Sequence, residues 1–168
     1  MCYGPEHPSI VTRGLCYNEG ITAPRPAIQV TTLQSTQDPV WQLLAEQRED
    51  LKSDLKFYNP EHLHQLHTRT LLVAQLERTI VGLSVLHNDT THHENALGVG
   101  YVSTRKKYQN MGVASAMVKA LFMHAQLTGK AIANSPYELD GQIYLQPVME
   151  RTSNRFPDVE FVERDYSF

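Results

Sequence analysis

Apolar and polar positions along the chain follow two different periods, and the switches between them mark the elements. From Ala27 to Leu33 the run AIQVTTL reads as a first strand. Asp38-Pro39 follows, a capping side chain ahead of a proline at the first helical position. Trp41, Leu44 and Leu51 then put a broken apolar stripe on a helix of about four turns. Asn59-Pro60 repeats the device for a shorter helix carrying Leu63 and Leu66. Thr70 to Ala74 and Thr79 to Leu86 are apolar runs separated by the polar pair Glu77-Arg78, which predicts a hairpin. Asn88 to Asn95 is polar and predicts a loop, and Ala96 to Ser103 predicts another strand.

A helical period then sets in. Val113, Met117, Ala120, Leu121 and Ala125 occupy most of its circumference and leave Ser115, Lys119 and Gln126 on one face, so the helix should be largely buried against a sheet. Gly129 is a stop signal, Ala131 to Asn134 a short strand, Leu145 to Ser153 a helix and Val159 to Val162 a last strand. Residues 1–25, with scattered Pro and Gly and little periodicity, read as an irregular N-terminal arm, which leaves 26–168 as one domain. This order predicts a mixed α/β fold on one central sheet.

Composition narrows the function classes. A chain of 168 residues with 41% hydrophobic content can fill one core. The net charge of -3, without a basic stripe interleaved with aromatics, argues against nucleic acid as a partner. No apolar run approaches the roughly 20 residues that span a bilayer. The opening MCYGPEHPSI lacks a charged region followed by an apolar one, so the expectation is a cytoplasmic protein with no membrane partner. Cys2 and Cys16 are too few for a disulfide framework and wrongly spaced for a zinc knuckle, and read as free thiols. Asn88-Asp89-Thr90 matches a glycosylation sequon, which matters only in a secreted protein, and nothing else points to secretion.

The stretch KKYQNMGVASAMV, Lys106 to Val118, starts as a basic loop and becomes an apolar helix with Gly112 at the changeover. A strand, a short loop and a buried helix leave the first helical N–H groups unpaired at the positive end of the macrodipole. Gly112 lets a ligand approach the main chain and Ala114 is nearly as small, so Gln109 to Ala114 can cup an anion, with Arg105, Lys106 and Lys107 adding positive charge beside it. A Walker loop would need Gly-x-x-x-x-Gly-Lys-Ser/Thr, and a dinucleotide fingerprint a third glycine where Ser103 stands after Gly98 and Gly100; neither motif is met.

The segment Tyr101 to Ala114 resembles the strand and pyrophosphate loop of the GNAT superfamily of N-acetyltransferases, whose signature Gln/Arg-x-x-Gly-x-Gly/Ala is matched by Gln109-Asn110-Met111-Gly112-Val113-Ala114. The likeness in motif covers Ala96 to Asn134, and in element order Ala27 to the C terminus. It implies a central mixed, mostly antiparallel sheet flanked by helices. It also implies acetyl-CoA as cosubstrate, with no metal. The pyrophosphate would lie over the amides of Gln109, Asn110, Met111, Gly112, Val113 and Ala114, helped by the Ser115 hydroxyl. The pantetheine would run along Val102, Ser103 and Thr104. Asn134 fits the asparagine of a family pattern, Asn-x-x-Ala-x-x-x-Tyr followed by Gly-Phe.

Catalytic residues are less regular. The strand Leu97 to Thr104 carries no carboxylate. Glu94, beside His92 and His93, is the candidate base, against the plainer reading of a solvated polar loop. Ser135 to Gly141 intervenes after Asn134 and no Gly-Phe follows. Tyr144 is the first candidate for the acid and Tyr137 the second, against the reading of a core tyrosine with a satisfied hydroxyl. His62, His64 and His67 lack a supporting metal motif and read as surface histidines. Glu46, Glu49, Asp50 and Asp54 make an acidic patch that would suit a basic acceptor, or simply a solvated helix face. The reading is an N-acetyltransferase moving acetyl from acetyl-CoA directly to a primary amine of a small molecule, peptide or protein lysine. The alternatives are a catalytically silent GNAT fold serving as a binding or structural component of an assembly, and transfer of a longer acyl group. A homodimer or a protein partner stays open.

Overall fold

The structure, a computed structural model, describes residues 26–55, 58, 68–88, 95–134 and 137–163. One six-stranded sheet runs in chain order: β1 (Gln29–Leu33), β2 (Arg69–Leu76), β3 (Thr79–His87), β4 (Ala96–Thr104), β5 (Ala131–Asn134) and β6 (Phe161–Glu163). The pairings β1–β2, β2–β3 and β3–β4 are antiparallel, whereas β4–β5 and β5–β6 are parallel. The mixed, mostly antiparallel sheet is the one expected. β2 is buried from Thr70 to Ala74 and β3 from Ile80 to Leu86, because helices cover both faces; this is why those strands read as unbroken apolar runs and not as alternation.

On one face lie α1 (Pro39–Glu46) and α2 (Arg48–Asp54), where Val40, Leu44, Leu51 and Leu55 pack on Leu71, Val73, Ile80, Leu83 and Val85. On the other lies α3 (Val113–Thr128), which buries Val113, Met117, Val118, Leu121, Phe122 and Ala125. Each large apolar side chain so buried contributes about 1.5–3 kcal/mol, far more than intrinsic helix propensity. Ser115, Lys119 and Gln126 are exposed, as the period predicts. The helix stops where Gly129 takes φ 64° and the Lys130 N–H donates back to the Ala125 carbonyl at 2.9 Å. Phe122 meets the rings of Phe156 and Phe161 at 5.7 and 5.9 Å between centroids, joining the C-terminal segment to this layer.

The expected start of the first helix holds: Asp38 Oδ1 accepts from the Val40 N–H at 2.9 Å, with Pro39 in the first turn. Its expected continuity does not, for the four-turn helix is broken at Gln47 into α1 and α2. The Gln47 side chain donates to the Arg78 carbonyl at 2.7 Å and accepts from the Ile80 N–H at 2.9 Å, so it ties the break to the end of the β2–β3 hairpin. A second correction concerns the C-terminal helix, which is preceded by a separate short helix, α4 (Leu139–Tyr144), before α5 (Gln146–Ser153). α4 buries no residue, so no apolar stripe announced it. The last strand is also shorter than expected and begins at Phe161, with Val159 buried ahead of it. The expected helix around Leu63 and Leu66, the N-terminal arm and most of the Asn88–Asn95 loop lie outside the described residues.

Candidate functional site

The site is built where β4 loses a neighbour. β5 pairs with β4 from Ala96 to Val99 only, ending with Asn134 opposite Val99. Beyond that point the described part of β4 pairs only with β3, through Tyr101, Val102, Ser103 and Thr104. The register slips between the pairs Val85–Tyr101 and Leu86–Val99, leaving Gly100 as the extra residue of a bulge. The buried Ser84 hydroxyl donates to the Tyr101 carbonyl at 2.8 Å beside it. The far edge of β4 from Gly100 to Thr104 therefore offers main-chain groups that an extended ligand can pair with. Asn134, only 3% exposed, sits at the fork, and its Nδ2 has no hydrogen-bond partner among the described residues. A buried donor left unmade costs about 1–3 kcal/mol, which a ligand carbonyl would recover.

The β4–α3 connection supplies the second half. After a single 3-10 turn, Lys106–Tyr108, the backbone turns left-handed at Asn110 (φ 63°) and again at Gly112 (φ 83°). Gly112 is the N-cap of α3 and no side chain caps the helix. The first helical bond runs from the Ala116 N–H to the Gly112 carbonyl at 3.0 Å, so the amides of Val113, Ala114 and Ser115 precede the ladder. Left-handed residues alternating with others, followed by a bare helix start, gather N–H groups into an anion-binding concavity. A Cβ on Gly112 would meet nothing within 4 Å, so the glycine is needed for its φ and for the open space above it, and not for packing.

The charge around this loop is not arranged as the sequence suggested. Arg105, expected to add charge for an anion, donates through Nε to Asp54 Oδ2 at 2.8 Å and through Nη1 to the Ile80 carbonyl at 3.1 Å. It is a strut between β4, β3 and the end of α2. Lys106 and Lys107 are exposed, with Lys107 Nζ 5.9 Å from the centre of the Tyr108 ring, and they remain beside the loop.

Gly82 places the helix over this fork. A Cβ there would lie 2.7 Å from Val113 Cγ1 and 2.9 Å from Met117 Cε, so the first turn of α3 rests directly on β3. Gly82 and Ser84 were missed as site-building residues; a glycine inside the run Ile80-Val81-Gly82-Leu83 was the available signal.

The model of the GNAT acetyltransferase family matches residues 37–133, more than half of the chain. The chain belongs to the GNAT acetyltransferase family. The same architecture recurs in solved structures. An aminoglycoside acetyltransferase from an uncultured soil metagenomic sample, solved with trehalose and with sisomicin, is 16% identical with a TM-score of 0.53, over 74% of this chain and 86% of that one. A ribosomal-protein-alanine N-acetyltransferase from Brucella melitensis biovar Abortus 2308 is 15% identical with a TM-score of 0.54, over 84% of this chain and 96% of that one. A Bacillus subtilis acetyltransferase in complex with CoA is 13% identical with a TM-score of 0.50, over 73% and 75%. At such identities the likeness shows the GNAT fold. No curated protein matches the sequence significantly.

Within this GNAT fold the candidate catalytic residues separate. Tyr144 ends α4 and is 69% exposed, so the core reading does not apply to it. Tyr137 is half-buried and packs with the core between the sheet, α3 and α5. Glu94, with His92 and His93, lies outside the described residues, as do His62, His64 and His67. Among the described residues no group of three or more His, Cys, Asp or Glu is placed to hold a metal ion, and no helix is long and apolar enough to cross a membrane. The acidic patch is largely engaged: Asp54 by Arg105 at 2.8 Å, Glu49 by Lys52 at 3.6 Å and Glu46 by Arg78 at 3.9 Å.

One further polar group borders the fork. Tyr101, next to the bulge, lies on the α1–α2 side, against the core that Tyr58 also joins. Burial pushes the Tyr101 phenol well above its ordinary range; the nearby Tyr58 phenol adds to this and the Arg69 guanidinium opposes it. Tyr101 is thus a neutral hydrogen-bonding group and not a base.

Proposed function

We propose that this GNAT protein transfers the acetyl group of acetyl-CoA directly to a primary amine of a small molecule, peptide or protein lysine, with residues 26–168 acting as one acyltransferase domain. The observation that carries this reading is the continuity of two features. The edge of β4 released beyond Val99 leads, through one short turn, into the uncapped start of α3. Together they suit a long ligand with a peptide-like arm and an anionic end. Val102, Ser103 and Thr104 would hold the arm, Asn134 would donate to one of its carbonyls, and the main chain from Gln109 to Ala114, with the Ser115 hydroxyl, would hold the diphosphate.

Bound acetyl-CoA supplies an activated thioester. The amine lone pair attacks its carbonyl carbon, the carbon–sulfur bond breaks with its electron pair going to sulfur, the thiolate takes one proton and the nitrogen gives one up. Tyr144 is assigned the proton for sulfur, since its exposed phenol is free of structural duty. Glu94 is assigned the proton leaving nitrogen.

An acceptor screen reading amine-dependent release of free CoA thiol tests the reaction. Release with at least one amine class is expected. Saturable acetyl-CoA binding without amine-dependent release from any class would instead make the chain a silent binding component.

A further inference from the structure

One corner of the α1–α2 face is polar. Arg69 of β2 pairs with His87 of β3, two residues along from Leu71 and Val85, which pair with each other; Val85 in turn pairs with Tyr101 of β4. Leu71, Val73, Leu83 and Val85 belong to the core beneath α1 and α2, so the two-residue period brings Arg69 and His87 to that same face. Tyr58 and Tyr101 pack against the same core. The Tyr58 hydroxyl and Arg69 Nη1 are buried, and neither has a hydrogen-bond partner among the described residues. Tyr58 and Tyr101 pack on one core and the register brings Arg69 to the same face, so the three share one corner, and Arg69 and Tyr58 each act electrostatically on Tyr101. This corner adjoins the bulge: a Cβ on Gly100 would lie 2.9 Å from His87 Nε2.

Folded proteins leave few buried donors unmade, and a buried guanidinium N–H and a buried phenol in one corner are costly to leave empty. The guanidinium can only donate and the phenol O–H can donate as well, so one acceptor would satisfy both. Near Tyr58 the Arg48 guanidinium and the Glu49 carboxylate act with opposite signs and offset one another, which leaves Arg69 as the cation without a counter-charge: no ion pair of Arg69 is present among the described residues. A single planar cation matches a singly charged planar anion, whereas a phosphate dianion would leave a negative charge buried without a counterpart.

We propose that Arg69 and Tyr58, with Tyr101 beside them, bind a carboxylate carried by the acceptor, so that the substrate is an amine bearing a carboxylate near its reacting nitrogen, as in an amino acid. This rests on the acetyl-transfer reading, since it is the position beside Gly100, where β5 leaves β4, that makes the corner an acceptor subsite.

Calorimetric titration of free L-amino acids and of their methyl esters, with CoA present, compares ligands that differ by one negative charge. The expected result is at least one amino acid bound about 10- to 100-fold more tightly than its ester. Arg69→Gln, verified as folded by circular dichroism, should remove that preference, and Arg69→Lys should keep part of it. Equal affinity for acid and ester, no acid binding at all, or a preference that survives in Arg69→Gln overturns the proposal. A CoA titration run alongside separates the two readings. CoA binding without acid preference removes the carboxylate subsite alone. No CoA binding removes the acetyl-transfer reading, and the acid preference is then read without CoA.

Discussion

Arg105 and Asp54 are joined by two N–H groups converging on one carboxylate oxygen: Arg105 Nε and Nη2 each stand 2.8 Å from Asp54 Oδ2. The pair fixes the end of β4 to the end of α2, just before the loop that opens α3 begins. Asp54 closes α2, where a negative charge meets the negative end of the helix dipole, and the guanidinium offsets that conflict.

Arg105→Ala should therefore act on stability before it acts on phosphate. A charge-assisted pair with one largely buried partner, discounted for the partial exposure of Asp54, predicts a loss of about 1–2 kcal/mol in urea unfolding. Asp54→Asn should lose a similar amount, and the double variant less than the sum, because both changes remove one interaction. Additive losses would mean that the two residues act separately.

Gly82→Ala should move the helix that carries the loop. The new Cβ would meet Val113 Cγ1 at 2.7 Å, and a branched side chain in the first turn of α3 has little room to yield. Overpacking of this kind costs about 1–3 kcal/mol. Acetyl-CoA affinity should fall with it, since the amides of Val113 to Ser115 would shift. Unchanged thermal stability would show that α3 is not seated on β3 as described.

The reach of the sequence can be judged residue by residue. The β2–β3 hairpin was legible because strands covered on both faces are apolar throughout, and α3 because its buried residues keep helical spacing between Gly112 and Gly129. The loop was legible because only a residue tolerant of positive φ suits that position, and Gly112 stands there. The break at Gln47 was not, because its partners Arg78 and Ile80 lie 31 and 33 residues away. Arg105 was misread for the same reason, its partner Asp54 being 51 residues distant. α4 escaped notice because it buries nothing, and the buried polar corner at Arg69 and Tyr58 because only the strand register brings those residues together.

Tyr144→Phe separates chemistry from folding. An exposed phenol should be removable within about 0.5 kcal/mol of stability. If it protonates the departing thiolate, kcat should fall by about 10²-fold or more with acetyl-CoA affinity unchanged. Equal turnover by the two proteins would relieve Tyr144 of the role.

The most direct measurement is calorimetric titration of acetyl-CoA into the wild-type protein, Gly112→Asp and Gly112→Asn, with ATP as a control. Both variants carry the cost of a left-handed φ of 83° on a non-glycine residue, and nothing within 4 Å obstructs their Cβ, so both should fold; only the aspartate puts a negative charge over the loop amides. The account predicts saturable binding to the wild type, no ATP binding, and affinity at least about 100-fold weaker in Gly112→Asp than in Gly112→Asn. Equal affinity of the two folded variants, or no acetyl-CoA binding by the wild type, would contradict it.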